Sequence, residues 1–340
     1  MPHISVCIIT YRRPDGLKRL LESIARQTFV KTAGATVEVI VVDNDAGAPM
    51  RAMIDQARAN FPWPLIYDVE PEPGIPFARN RCLDRVSDEA DYVAFIDDDE
   101  EASERWLDEL VWAAETFKAN VVMGYVEPFY PNGAPDWIVQ SSFFDWRQFE
   151  DGEELREGAT SNALIRTDLI RRLSLRFDER LRRNGGDDFL FFRQTQIAGE
   201  KIIGSRGGWV REWHPDSRLT QRWLLQRRFR SGNSLALVDR LLDPSPKKWL
   251  TRLVKGFGRM SFGFVRTPIN ALRGRTALVQ ALGDIYWGAG SLAGLFGVNY
   301  EEYKTVHAMG GMSRDGSDLA GAKTIPDTDK KCDDGAAKNA

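Results

Sequence analysis

The stretch Tyr92-Val93-Ala94-Phe95-Ile96-Asp97-Asp98-Asp99-Glu100-Glu101 runs five largely apolar, β-prone residues into five consecutive acids. The first half predicts a buried strand. The second half is what that strand delivers to its carboxyl end, where open α/β sheets bind ligands. Five adjacent carboxylates repel one another and are costly to hold together without a countercharge. A divalent cation would remove that cost, and Mg²⁺ and Mn²⁺ favour carboxylate oxygen. The alternative is a solvated acidic loop that opens a helix, because acids suit a first turn.

Upstream, Ile4 to Ile9 reads as a strand, broken by Thr10-Tyr11-Arg12-Arg13-Pro14-Asp15. Leu17, Leu20, Leu21 and Ile24 then recur at helical spacing behind Pro14. Val37 to Val42 predicts a second buried strand ending on Asp43-Asn44-Asp45, with a helix over roughly Pro49 to Asn60. Leu65 to Val69 reads as a third strand, Pro71-Glu72-Pro73-Gly74 as a loop, and Phe77 to Val86 as a short helix carrying Arg79. A helix from about Ser103 to Lys118 follows the acids. This alternation predicts a mostly parallel sheet with helices on both faces. Each strand's carboxyl end carries polar chemistry, and a doubly wound sheet gathers those ends in one crevice.

Downstream, Val121 to Val126 predicts another strand, and the stretch from Glu127 to Gly158 is a long loop holding Trp137 and Trp146. Its aromatics either stack on a sugar face or cover the core. Ala163 to Ile165 reads as a strand edge. Asn184-Gly185-Gly186-Asp187-Asp188 runs into Phe189-Leu190-Phe191-Phe192, so the paired acids either cap a helix or do chemistry at its start. Gly256-x-Gly258 follows no strand and lacks the third glycine of a dinucleotide fingerprint.

The chain has 340 residues, 43% hydrophobic and 28% charged, with net charge −3. That suits one large domain with an appendage, or two domains, and gives no sign of a nucleic-acid binder. Cys7, Cys82 and Cys332 form no metal-ligand spacing and no disulfide framework, so a reducing compartment is expected. The short amino-terminal apolar run is followed by arginines, unlike a signal peptide, and no transmembrane segment is expected.

Five stretches together resemble the family-two inverting glycosyltransferases, which have the glycosyltransferase-A fold. They are Val6 to Pro14, Val42-Asp43-Asn44, Pro73-Gly74 to Ala78-Arg79-Asn80, Phe95 to Asp99, and Gly186-Asp187-Asp188. The match spans roughly residues 4 to 235 and looks most like bacterial enzymes that build succinoglycan-type exopolysaccharides on a lipid carrier. The resemblance implies that Thr10, Tyr11, Arg12 and Asp43 hold the uridine of a nucleotide-sugar, with Arg79 near the nucleotide and diphosphate. It implies that Asp97, with Asp98 beside it, contacts the donor, and that Asp99 ligates Mn²⁺ or Mg²⁺. Asp188 matches the second acid of the family's Glu-Asp pair, the general base. The first acid here is Asp187 in place of Glu, which leaves both as catalytic candidates. His214 is a candidate metal ligand, with a structural histidine as the alternative. Arg218, Arg227, Arg228 and Trp137 are candidate phosphate or acceptor contacts. The Gln-x-x-Arg-Trp element of processive synthases is absent, so one sugar per encounter is expected.

The chemistry runs beside the resemblance. Inverting transfer needs one base for the acceptor's proton and one group to stabilise the departing nucleoside diphosphate. Two acidic sites far apart in the chain, Asp97 to Asp99 and Asp187-Asp188, are what that requires.

Ser245 to Arg275 contains eight bases and no acid. On a helical wheel Lys248, Arg252, Lys255, Arg259 and Arg266 share one side, and Trp249, Leu253, Phe257, Met260 and Phe264 the neighbouring one. That pattern predicts a helix on an anionic membrane, aromatics inserted and bases above, or else a helix packed on the catalytic domain with its bases in water. Gly256, Gly258 and Gly263 are expected to weaken the helix and Pro268 to end it. The stretch from Thr276 to Tyr303 is expected to form a further helical hairpin. The expected organisation is a catalytic domain over 1–235, a membrane-associated helical segment over 236–309 and a disordered tail over 310–340. The full expectation is a UDP-hexose transferase, for glucose, at the inner face of the cytoplasmic membrane, acting on an undecaprenyl-diphosphate-linked oligosaccharide. A nucleotidyltransferase should carry a glycine-rich, lysine-containing loop near the first strand, which is missing. A non-catalytic sugar-nucleotide-binding or scaffold protein is the other alternative.

Overall fold

Along the first strand Ile4, Val6 and Ile8 are buried on one side of the sheet and Cys7 on the other, so helices cover both faces. The computed structural model describes residues 1–141, 143, 144, 148–182, 184–298 and 300. Chain order is β1 (His3–Thr10), α1 (Pro14–Ala25), β2 (Thr36–Asp43), α2 (Arg51–Arg58), β3 (Leu65–Val69), α3 (Ile75–Leu83), β4 (Tyr92–Ile96), β5 (Glu100–Ala102), α4 (Trp106–Thr116), β6 (Val121–Phe129) and α5 (Asp136–Val139). Then come β7 (Glu154–Leu155), β8 (Asn162–Arg166), α6 (Thr167–Arg172), α7 (Asp187–Ile197), β9 (Ile202–Trp213), α8 (Gln221–Leu242), α9 (Pro246–Leu272) and α10 (Arg275–Leu295).

The sheet order is β3-β2-β1-β4-β8-β6-β9-β5, with β7 paired to β9. β1 pairs with β2 and β4 in parallel, and Thr10 stands opposite Asp43 at the shared carboxyl edge. Leu17, Leu20, Ile24, Trp106 and Leu110 cover one face. Ala78, Leu169, Phe177 and Phe191 cover the other.

Ala163 to Ile165 is interior, not an edge. β8 runs antiparallel between β4 and β6, and its three central side chains are buried on alternate faces. Glu100 and Glu101 do not open a helix. They form β5, which pairs antiparallel with β9 and fixes the acidic stretch to Glu212 and Arg211. Asn162, fully buried, ties the layers together. Its Oδ1 accepts from Trp106 Nε1 at 2.7 Å, and its Nδ2 donates to the carbonyls of Gly208 at 2.8 Å and Tyr125 at 3.0 Å.

The carboxyl-terminal helices depart further from expectation. Pro268 does not end α9, which runs on to Leu272 while Thr267 Oγ1 donates to the Gly263 carbonyl at 2.8 Å. A proline removes one donor, and packing against a neighbouring helix outweighs that loss here. Gly263 is a point of close approach: a Cβ there would lie 2.8 Å from the Ala281 carbonyl oxygen of α10. The expected hairpin after Thr276 is one helix, α10, lying along both α8 and α9. Position 235 falls inside α8. The described residues lie in one compact unit, Met1–Met309; Trp146 and the expected tail over 310–340 fall outside them.

Replacing Asn162 by Ala is expected to lower the unfolding free energy by roughly 2–4 kcal/mol, because an indole N–H and two carbonyls lose a buried partner. Denaturant unfolding measures it, and a change below about 0.5 kcal/mol would contradict this account of the junction.

Candidate active site

The acidic run is held by arginines from three parts of the chain. Asp98 is buried, with Thr10 Oγ1 donating to its Oδ2 at 2.9 Å and Arg13 Nη1 to its Oδ1 at 2.8 Å. Thr10 is thereby committed to Asp98. Arg13 also reaches Asp99 Oδ2 at 3.1 Å, and Arg218 Nη2 comes within 3.2 Å of the same oxygen. Burial by itself would raise the Asp99 carboxyl, but Arg218 and Arg13 outweigh it and hold the group below its ordinary range. Asp97 turns toward Arg79, whose Nη2 lies 3.6 Å away. Desolvation, opposed by Arg79 and reinforced by the neighbouring aspartates, pushes Asp97 up to about 6. Glu100 is driven well above its ordinary value by burial and then by Asp97 and Glu212.

Arg79 links this run to the second acidic pair. Its Nη1 donates to Asp187 Oδ2 at 2.7 Å, and both side chains are buried. Gly185 and Gly186, at φ 69° and 89°, turn the chain so that α7 begins at this pair. Burial raises the Asp187 carboxyl while Arg79 pulls it down. Asp188 is half-exposed, and its hydrogen bond is local, Oδ1 accepting from the Phe189 N–H at 2.7 Å.

At the neighbouring strand end Asp43 has no exposed surface. Its Oδ2 accepts from Tyr67 Oη at 2.8 Å and from the Met50 N–H at 3.2 Å, while Oδ1 is buried without a partner among the described residues. Desolvation raises the group against those hydrogen bonds. A buried acceptor without a partner has capacity for one further N–H. Tyr11 flanks this end under the Arg12 guanidinium, 5.0 Å from its ring centre, but Arg12 Nε pairs with Asp45 at 2.5 Å.

On the other side β9 delivers Glu212 and His214. The Trp213 N–H donates to the Asp99 carbonyl at 2.8 Å, which fixes both strands. His214 is buried between Phe144 and Tyr130, with ring centres 4.3 Å and 5.7 Å away. Among the described residues neither of its ring nitrogens has a hydrogen-bond partner. Desolvation, then Arg218 and Arg227, lower it to about 3, so the imidazole is neutral at ordinary pH. Glu212 Oε1 lies 3.6 Å from His214 Nδ1 and 3.5 Å from Arg218 Nη1. Burial and Asp99 push Glu212 up to about 7, against Arg227 and Arg218.

No three His, Cys, Asp or Glu side chains form a finished metal cage among the described residues. The donor types present, a neutral imidazole without a partner, Glu212 and Asp99, are ones a divalent cation takes, with Asp99 paired to Arg13 and Arg218 in this structure.

Hydrogen bonds and ion pairs thus tie Thr10, Arg13, Asp98, Asp99, Arg218, Glu212 and His214 together and Asp97, Arg79 and Asp187 beside them, with Asp43 opposite Thr10, Asp188 next to Asp187 and Arg227 near Glu212 and His214. Arg12 is drawn to Asp45. Arg228 lies along Gly283 of α10, with Arg259 and Asp284 as charged neighbours. Trp137 has its ring face taken by the Arg275 guanidinium at 4.3 Å and its carbonyl by Thr276 Oγ1 at 3.0 Å. It packs on a small apolar cluster with Leu219, Leu224 and Val279, so it covers a core. Two residues given no role from sequence, Arg13 and Glu212, sit among the acids. Glu212 had a usable signal, since it lies two residues before His214 at the end of β9.

The glycosyl transferase family 2 model matches residues 5–174. The succinoglycan biosynthesis protein ExoM of Rhizobium meliloti (strain 1021) is 38% identical over 232 residues, 68% of this chain and 74% of that protein. Among solved structures, the mannosyltransferase PcManGT from Pyrobaculum calidifontis, in complex with GDP-Man and Mn²⁺, superposes with TM-score 0.60 at 16% identity, covering 87% of each chain. S. aureus TarS 1-349 in complex with UDP-GlcNAc gives TM-score 0.51 at 18% identity, covering 86% of this chain and 91% of that one. The mixed sheet with its helical carboxyl-terminal layer is therefore a glycosyltransferase-A fold. With the family model covering half the chain and a relative 38% identical over two thirds of it, this protein belongs to glycosyl transferase family 2 and is a glycosyltransferase.

Proposed function

We propose that the protein is a metal-dependent inverting hexosyltransferase in exopolysaccharide biosynthesis. It moves one sugar, glucose in this reading, from a UDP-sugar to an undecaprenyl-diphosphate-linked oligosaccharide at the inner face of the cytoplasmic membrane. The observation that carries the reading is the division of labour at the second acidic pair. Arg79 engages Asp187 and leaves Asp188 half-exposed at the crevice that Asp97 to Asp99 also line.

Asp43 Oδ1 accepts a hydrogen bond from the base of the nucleotide, and Tyr11 lies against it. Arg218 and Arg227 meet the diphosphate, as planar guanidinium groups suit phosphate oxygens. Asp99 and His214, with Glu212 beside them, would hold a divalent cation, Mn²⁺ or Mg²⁺, which would neutralise the leaving diphosphate. Asp188 takes the proton of the acceptor hydroxyl. The acceptor oxygen forms its bond to the anomeric carbon from the face opposite UDP. The bond between that carbon and the β-phosphate oxygen breaks, and UDP leaves with the electron pair. The nucleotide-sugars and Mn²⁺ held by two proteins of this fold agree with the reading, as does the succinoglycan pathway of the 38%-identical relative.

Titration calorimetry of UDP with and without Mn²⁺ tests the donor site. Metal-dependent binding is expected for the native chain and is lost in Asp99→Ala. Binding by neither would remove the nucleotide-sugar reading. Asp188→Asn is expected to keep metal-dependent UDP binding and to lose transfer by roughly 10²–10⁴-fold, the usual contribution of a general base. Asp187→Asn, in contrast, should lower thermal stability by loosening Arg79. If Asp188→Asn transfers sugar at the native rate, the base is elsewhere.

A further inference from the structure

Helix α9 turns four of its bases toward carboxylates on neighbouring helices, with Arg252 buried and Lys248, Arg259 and Arg266 partly exposed. Arg252 is buried and its Nε donates to Asp239 of α8 at 2.8 Å, while Lys248 Nζ lies 3.5 Å from the same carboxylate. Arg259 and Arg266 reach Asp284 of α10 at 3.0 Å and 3.5 Å. Glycines clear the way for this contact, for a Cβ at Gly263 would collide with α10 and one at Gly256 would lie 2.9 Å from Leu292. The paired bases therefore lie on the side of the helix that packs on α8 and α10.

What faces outward is apolar. Leu250, Val254, Phe257, Val265, Ile269 and Leu272 recur along one side of the helix and are between 50% and 91% exposed. The helix has 27 residues, about 40 Å of length, so the stripe is extended and not a scatter of single side chains. No acid occurs from Ser245 to Arg275. Lys247, Lys255 and Arg273, at the ends and flank of the stripe, have no carboxylate within ion-pair distance among the described residues. No described helix is long and apolar enough to cross a membrane.

We propose that this outward face of α9 lies in the interfacial layer of an anionic lipid surface. The apolar stripe inserts, Lys247, Lys255 and Arg273 meet lipid phosphates, and the paired bases stay on the protein side. The proposal deepens the membrane part of the function above and rests on it. It assigns which face touches lipid and which four bases do not.

The test uses the full chain with phosphatidylglycerol-containing vesicles and with neutral phosphatidylcholine vesicles, read by cosedimentation. Native protein is expected to partition onto the anionic vesicles. Val254→Asp combined with Val265→Asp should weaken that partitioning at least tenfold while leaving Mn²⁺-dependent UDP binding unchanged. A Phe257→Trp variant keeps the face apolar, and the fluorescence of the introduced indole should be quenched by brominated lipid. If native protein binds vesicles but the aspartate pair binds equally well and the introduced indole is not quenched, the face assignment is overturned and the membrane reading stands. If native protein binds no vesicles, the membrane reading falls with it, and UDP binding shows whether the donor site survives. If the native chain is dimeric without lipid and the aspartate pair makes it monomeric, a second copy covers this face and the proposal is wrong.

Discussion

Five consecutive carboxylates can end a buried strand only if something answers their charge. For the three aspartates the answer is three guanidinium groups from separate regions, and Arg26 of α1 faces Glu101 at 3.6 Å. Arg13 comes from the loop after β1, Arg79 from α3 and Arg218 from the segment before α8. Each brings its own element to the strand end, so the charge requirement also assembles the crevice. Arg79 does most of this linking, because one guanidinium faces Asp97 and grips Asp187, which are 90 positions apart in the sequence. Burial makes these pairs strong when complete and costly when broken.

The same electrostatics divides the acids into roles. Asp98 is consumed by Thr10 and Arg13, and Asp187 by Arg79. Asp99 stays ionised among cations, while Glu100 and Glu212 are driven toward the protonated form by burial and by other carboxylates. Among the described residues of this cluster, Asp43 Oδ1, Glu100 Oε1, Trp213 Nε1 and the His214 ring nitrogens are buried without a partner, and Asp188 is half-exposed with a local hydrogen bond. Those are the positions from which a ligand-binding reading can start, since fully satisfied polar groups have nothing further to offer.

The carboxyl-terminal layer follows a different rule. α8, α9 and α10 approach closely through small residues, and their charges pair across the helices as Asp239 with Arg252 and Asp284 with Arg259. α10 also holds the loop after β6, since Arg275 covers Trp137 and Thr276 bonds its carbonyl. The helical layer and the wall of the crevice therefore share an anchor.

The sequence by itself determined the strands and their order of chemistry. β4 lies where its apolar run predicts, because a strand buried on both faces writes its burial into consecutive residues, and β3 lies at the predicted bounds although it is a partly buried edge strand. It also determined that acids converge at the sheet's carboxyl edge and that two acidic sites exist. Partnership was left to the tertiary structure. Ala163 to Ile165 gave no sign of an interior position, since a strand's neighbours lie far away in sequence. Asp187 and Asp188 look alike in the sequence, and only the direction of Arg79 distinguishes them. The wheel of α9 separated a basic side from an apolar one but did not say which partners the bases would take. That was decided by Asp239 and Asp284 on other helices, because a charge goes where its partner is and a helix cannot specify its partner alone.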